Sequence, residues 1–228
     1  MRFAKFAVMA IGMLATPVCA AHAATATIVN GSFEEGSIDP GSFTTLFAGS
    51  TDITGWTVVT ANDTDPGSVD YIGTYWTASD GSRSLDLDGN APGGVQQTIT
   101  GLTIGQQYTI TFDLAGNPDL SGKKILQLAL DGITQDYTFI NTAITTKSAM
   151  GWILESFIFT ASNTSQLLTF SSLTSDAWGP ALDNVNISAT PVPPALPLFA
   201  VALALLGWLG GRKQSSRSWR SPLAFGHG

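Results

Sequence analysis

The side chains in this sequence that could do chemistry are carboxylates and aromatic rings. Asp183 stands in the run ALDNVNI (181–187), where strand parity sets it on the same face as Val185 and Ile187, the inner one. A carboxylate turned inward costs several kcal/mol unless it is protonated, hydrogen-bonded or coordinated. Two answers are open: a metal ion, or a turn in which Asp183 accepts nearby backbone N–H groups. Calcium is the metal that suits the residue types present, because it takes oxygens only, backbone carbonyls included. The run DLDGN (86–90) fails as a helix-loop-helix calcium site. Its sixth position is Ala91 where that loop needs glycine, and its twelfth is Gln97 where it needs glutamate. Alternation instead sets Leu85 and Leu87 inward, with Ser84, Asp86 and Asp88 outward, and makes Asp88-Gly89-Asn90 a turn.

Nucleophilic catalysis lacks its parts. The one cysteine, Cys19, and both histidines, His22 and His227, lie outside residues 24–190. That excludes Cys-His and Ser-His-Asp arrangements and histidine zinc sites from this stretch. A pair of carboxylates could hydrolyse glycosides, but among seventeen acids the sequence nominates no pair. The expectation is a protein that is not an enzyme. Binding a sugar chain needs aromatic platforms with polar groups at their edges. Tyr75 and Trp76 lie between Gly73 and Ser79, with Asp70 and Asp80 close by in sequence, and Trp178 lies in SDAWGP. Asp70, Tyr75, Trp76 and Trp178 are therefore the candidate ligand-binding residues. Trp56 and Trp152 each follow a glycine and open a strand, which marks them as core.

Charge narrows the partners. All seventeen acids fall within 24–190, opposed only by Arg83, Lys123, Lys124 and Lys147, which leaves −13 (4 − 17). Such a surface repels nucleic acid and anionic lipid, and tolerates divalent cations and neutral glycans.

The elements that must position these residues read as strands. In YTITFDLA (108–115), Tyr108, Ile110, Phe112 and Leu114 share one face; in ILQLALD (125–131), Leu126, Leu128 and Leu130 do. In WILESFIFTA (152–161) both faces carry apolar residues and are expected to be partly buried. GWTVVT, SLDLDG, VQQTIT, QDYTFI, LLTFSS and ALDNVNI complete about ten short strands separated by Gly, Asn, Asp and Ser clusters. Residues 34–54 and 141–149 read as long connections that could rim a binding surface. The fold expected is all-β, an antiparallel β-sandwich over 24–190.

Four blocks, NGSFEEG (30–36), SVDYIGTYWTASDGSRSLDLDG (68–89), FDLAGNPD (112–119) and GPALDNVNI (179–187), together resemble the bacterial choice-of-anchor C proteins. That family is similar to a domain of unknown function in plant cell-wall proteins and to galactose-binding-like carbohydrate modules. The polysaccharide partner is expected from the aromatic candidates and the charge, not from the family. The resemblance implies a jelly-roll sandwich. It also implies a structural Ca²⁺ between the first strand and the last, which here gives Glu34 and Asp183 as side-chain ligands.

The ends set the expected compartment. Arg2 and Lys5, an apolar run from Phe6 to Ala15, and Ala21-His22-Ala23 make residues 1–23 a signal peptide. Residues 191–194 are a proline-rich spacer, 195–211 an uncharged stretch long enough for one transmembrane helix, and 212–228 a basic tail kept cytoplasmic by Arg212, Lys213, Arg217 and Arg220. With VPPALPLF (192–199), this layout resembles the PEP-CTERM and VPLPA-CTERM sorting signals of Gram-negative bacteria. That implies processing by an exosortase-type protease, and display on the outer face of the membrane, the cell surface or the extracellular matrix. The expected function is a surface-anchored or surface-released, non-catalytic carbohydrate-binding module. The alternatives are a structural matrix protein without a specific ligand and, at lower weight, a glycoside-active enzyme.

Overall fold

The computed structural model describes residues 25–62, 66–190 and Leu206. The expected signal peptide (1–23), proline spacer (191–194), transmembrane helix (195–211) and basic tail (212–228) lie outside the described residues, Leu206 apart. Among the described residues no helix is long and apolar enough to cross a membrane.

Among the described residues eleven strands run as β1 (Phe43–Phe47), β2 (Thr57–Thr60), β3 (Ser68–Ile72), β4 (Ser84–Asp86), β5 (Gly93–Thr100), β6 (Gln107–Gly116), β7 (Gly122–Leu130), β8 (Ile133–Asn141), β9 (Ile153–Thr160), β10 (Ser165–Ser172) and β11 (Pro180–Ala189). They form a six-stranded sheet in the order β1-β3-β4-β11-β6-β9 and a five-stranded sheet in the order β2-β5-β10-β7-β8. Every pairing is antiparallel. The expected two-sheet sandwich is what the chain builds.

Period-two alternation explains the packing. Ile110, Phe112 and Leu114 of β6 are fully buried, facing Leu126, Leu128 and Leu130 of β7 and Leu168 and Phe170 of β10. Phe112 sits at the centre, its ring 5.0 Å from Tyr137 and 5.1 Å from Phe170, both edge to face. Each such side chain contributes about 1.5–3 kcal/mol when fully buried. Trp56 is core, as its place after Gly55 implied; it packs 5.4 Å from Phe33 and donates from Nε1 to the Asn30 carbonyl at 3.0 Å. The inward Gln97 pins the N-terminal segment to β5. Its Oε1 accepts from Val29 N at 2.7 Å, and its Nε2 donates to the carbonyls of Val29 (2.9 Å) and Gly55 (2.7 Å).

Three expectations need correction. Residues 34–54 are not one long connection, because β1 lies within them. It is an edge strand that buries only Leu46, so its alternation is faint. The outer face of β9 is bare: Leu154 and Ile158 are exposed while Phe157 and Phe159 face in, because β9 is the edge of its sheet; Ile153, of the inward parity, is exposed where the strand begins. Asp86 and Asp88 were expected outward in solvent, yet residues 84–89 are all buried. β4 is a central strand between β3 and β11, and the segment before β11 folds over its outer side.

Candidate functional site

The first place where carboxylates gather is the connection 77–83. Asp183 is fully buried, but it does not share the inner face with Val185 and Ile187. A bulge between Asp183 and Asn186, with Asn184 at φ 50°, inserts an extra residue in β11. Leu182 and Val185 therefore both reach the core, while Asp183 lies opposite Asp113 on the outer face. There its Oδ2 accepts the N–H groups of Ser79 (2.7 Å) and Asp80 (2.9 Å), and its Oδ1 that of Asn184 (2.6 Å). Burial pushes this carboxyl up to about 7, against the three N–H donors that favour the anion. Asp113 holds the same turn by accepting from the Ser79 hydroxyl, and from Asn184 Nδ2 at 3.0 Å.

Glu34 meets the same connection further on. Its Oε1 accepts from Ser82 N and Arg83 N, both at 2.7 Å, and its Oε2 from Ser82 Oγ at 2.8 Å. Glu34 and Asp183 thus grip one turn from two sides. All four of their oxygens already accept an N–H or O–H, so a cation here would have to displace those bonds. Among the described residues no three His, Cys, Asp or Glu side chains are placed to hold a metal ion.

The aromatic candidates divide. Trp76 is buried, with Nε1 donating to Ser84 Oγ at 2.8 Å, so it belongs to the core and presents no open platform. Tyr75 is half-buried and fully engaged. Lys147 Nζ covers its ring at 3.7 Å, and its hydroxyl donates to Asp119. Asp70 pairs in register with Asp86 and accepts from Thr45 Oγ1 at 2.5 Å; burial raises its carboxyl, and Thr45 opposes that. Both were read as ligand-binding candidates, and both side chains are taken up by these contacts. Trp178 alone keeps an exposed ring, 39% accessible.

Trp178 stands beside the second gathering, which the sequence reading missed. At one end of the sandwich the inward positions turn polar. Lys124 continues the inward row of Leu126, Leu128 and Leu130, Ser172 continues that of Leu168 and Phe170, and Asn141 that of Tyr137 and Phe139. Buried Asp86 caps this plug by accepting from Asp88 N and Gly179 N, each at 3.0 Å, and from Asn117 Nδ2 at 2.7 Å. Burial drives its carboxyl well above the usual range. Lys124 Nζ pairs with Asp176 Oδ1 at 3.2 Å, and the same oxygen accepts Trp178 N at 3.0 Å. Asp88 is fully buried and, among the described residues, neither of its oxygens has a hydrogen-bond partner, nor has Asn141 Oδ1. Burial pushes Asp88 up to about 7 and the Asp176 charge adds to that, while Lys124 and the nearby Ser172 hydroxyl favour the anion. Ser172 lies close but makes no hydrogen bond of normal geometry to it.

Over this plug opens a cleft of about 440 Å³, lined by Asn62, Asn90, Ser172, Thr174, Ser175 and Asp176 and by five apolar residues, Leu173 and Pro92 the largest. Its walls offer amides, hydroxyls and one carboxylate, with the Trp178 ring next in sequence to its margin. That is the equipment for hydrogen-bonding a polyhydroxylated ligand and packing a sugar face on an aromatic ring. A signal for this end was present in the sequence, since Lys124 shares the parity of three core leucines.

Comparison with known proteins places the chain. The family described as "Protein of unknown function (DUF642)" matches residues 26–188, which contain all four of the blocks quoted above. Halomucin of Haloquadratum walsbyi is 38% identical over 181 residues, 76% of this chain and 2% of halomucin, so the chain spans a small fraction of that relative's length. Among solved structures, a family 35 carbohydrate binding module from Clostridium thermocellum is similar at TM-score 0.43 and 11% identity, over 64% of this chain and 99% of that one. A CBM35 from Paenibacillus barcinonensis is similar at TM-score 0.41 and 20% identity, over 65% and 99%. With more than half of its length matched, the chain belongs to the DUF642 family.

Proposed function

We propose that the sandwich is a non-catalytic polysaccharide-binding module that takes a sugar chain in the cleft beside Trp178. The observation that carries this reading is the pairing of a half-exposed tryptophan with a cleft lined by amide and hydroxyl groups. Sugars present alternating apolar faces and hydroxyl edges, and the two halves of this surface answer them in turn. The acidic balance of residues 24–190 selects against uronate-rich and nucleic acid polymers and leaves neutral glycans. The ligand-free alternative, a structural matrix protein, separates from this reading on a glycan array. The domain of residues 24–190 should retain a defined class of polysaccharide, and Trp178→Ala should lose it; a parent that retains nothing supports the structural reading.

The same proposal places the module outside the cell. A signal peptide over 1–23 would export it, and a choice-of-anchor C type C-terminus, processed by an exosortase-type protease or retained as a membrane helix, would hold it at a Gram-negative surface or release it into the matrix. Structural Ca²⁺ at Glu34 and Asp183 belongs to this proposal too, at the cost of displacing the N–H and O–H donors those oxygens now accept.

A further inference from the structure

Two groups of the polar plug, Lys124 and Asp88, line no part of the cleft. Lys124 points inward from β7 with a side chain only 1% exposed, where lysine is rare unless paired. Its ammonium has one partner among the described residues, Asp176 Oδ1 at 3.2 Å. Asp88, on which the charges of both Lys124 and Asp176 act, is buried, and among the described residues its two oxygens have no hydrogen-bond partner. Two glycines let the backbone come close to these side chains. A Cβ on Gly116 would lie 2.7 Å from Lys124 Cγ, and one on Gly179 would lie 2.8 Å from Asp88 Cβ and 2.5 Å from Asp86 Oδ1. An amine, a carboxyl in contact with it and a second, buried carboxyl are the parts of an intramolecular amide-forming site.

We propose that Lys124 and Asp176 condense into an isopeptide bond across the mouth of the sandwich, with Asp88 carrying the protons. The starting pair is an ammonium and a carboxylate. Asp88, whose two oxygens are otherwise unengaged among the described residues, closes on Nζ and takes one proton from it, which frees the nitrogen lone pair to attack Cγ of Asp176. The C–N bond forms, and Asp88 passes that proton to a carboxyl oxygen. A second proton leaves Nζ for the same oxygen by the same route, the C–O bond breaks, and water departs. The nitrogen keeps one hydrogen, two leave in the water, Asp88 ends as it began, and no oxidant or co-reactant is needed.

The surroundings favour the step. Nζ already stands in contact with the carboxyl it must attack, which turns a bimolecular condensation into an intramolecular one. The product also removes an ammonium charge that is costly to keep inside a sandwich. Burial holds Asp88 near 7, so both of its protonation states are populated around neutral pH, as a proton carrier requires. The bond would tie β7 to the segment before β11 in a domain whose residues 24–190 contain no cysteine for a disulfide.

The test is mass spectrometry of the full chain, purified after expression, with both termini read from the same digest. The expected result is an intact mass lower by one water than those termini allow, and a branched peptide joining the Lys124 and Asp176 segments. Lys124→Arg, which keeps the charge, and Asp176→Ala should each restore the full mass. Asp88→Asn should slow the mass loss in samples taken over the course of expression, with circular dichroism confirming the sandwich. A parent protein at full mass after prolonged incubation overturns the proposal, and needs no variant to fold. A mass loss that persists in Lys124→Arg overturns it as well, and one that proceeds at the parental rate in Asp88→Asn removes Asp88 from the step.

Discussion

Replacing Trp178 and Trp76 by alanine, one at a time, separates a ligand surface from a core. Trp178 is 39% exposed, and its segment is held by main-chain groups: Trp178 N on Asp176, Gly179 N on Asp86 and the Gly179 carbonyl on Asn117 N. Trp178→Ala leaves those bonds in place, so it should cost about 1 kcal/mol of stability or less. If the ring is a central sugar contact, its loss should weaken binding by at least about 2 kcal/mol, roughly thirtyfold in affinity. Trp76→Ala should do the reverse. It empties a buried indole site and takes the donor from Ser84 Oγ, which should cost about 3–5 kcal/mol. The assay is denaturant unfolding of each variant beside calorimetric titration with the best polysaccharide from the array. Parental affinity in a folded Trp178→Ala protein would refute the placement of the site. A stable Trp76→Ala protein that had lost binding would show that the division between core and surface was drawn wrongly.

Other measurements test the rest of the structure. Asp183→Ala strands the N–H groups of Ser79 and Asp80, and should lower stability by about 1–3 kcal/mol for each donor left without a partner. Glu34→Ala should do less, because that carboxylate is exposed and water can replace it at Ser82 and Arg83. Asp88 and Asp183 both sit near 7 when folded, above the ordinary 3.8. The folded state therefore holds their protons more tightly than the unfolded one, and their contribution, complete below about pH 4, should fade as pH rises to about 7. A melting temperature followed from pH 4 to 8 should decline across that window, and Asp183→Asn should flatten the decline; a rise would contradict the buried placement of both groups. For calcium, excess chelator should lower the melting temperature if Glu34 and Asp183 bind the ion, by an amount equivalent to about 2.7 kcal/mol at a hundredfold excess of metal over Kd. An unchanged melt would leave the N–H donors as the sole partners of those oxygens. Peptide mapping from the native host should find an N-terminus near Ala24, and an intact Gly228 would exclude cleavage at the proline motif.

The fold was readable where alternation was uninterrupted and burial complete. β6, β7 and β10 announce themselves because Phe112, Leu128 and Phe170 recur every second residue against polar neighbours. β1 escaped because an edge strand that buries one leucine carries almost no periodic signal. Asp183 was correctly read as a buried carboxylate but put on the wrong face, and one residue made the difference. Parity counts along a strand only while the ladder stays in register, and Asn184 in its left-handed conformation breaks that register.

Asp86 and Asp88 failed for a related reason. Alternation reports which residues avoid the core, but it cannot say whether their own face is left to water. In this chain the outer side of β4 is covered by the segment that leads into β11, so residues read as solvated are as fully buried as Asp183. The same cover brings Asp176 to Lys124 and leaves Trp178 outside. Its last turn requires Gly179, because a Cβ there would lie 2.5 Å from Asp86 Oδ1 and 2.7 Å from Asp88 N. Gly179→Ala should therefore lift the whole segment off the plug. It should cost about 1–3 kcal/mol as an overpacking change and weaken sugar binding together with any bond between Lys124 and Asp176. A Gly179→Ala protein of parental stability that still bound polysaccharide would mean the cleft, the plug and the tryptophan are independent of one another.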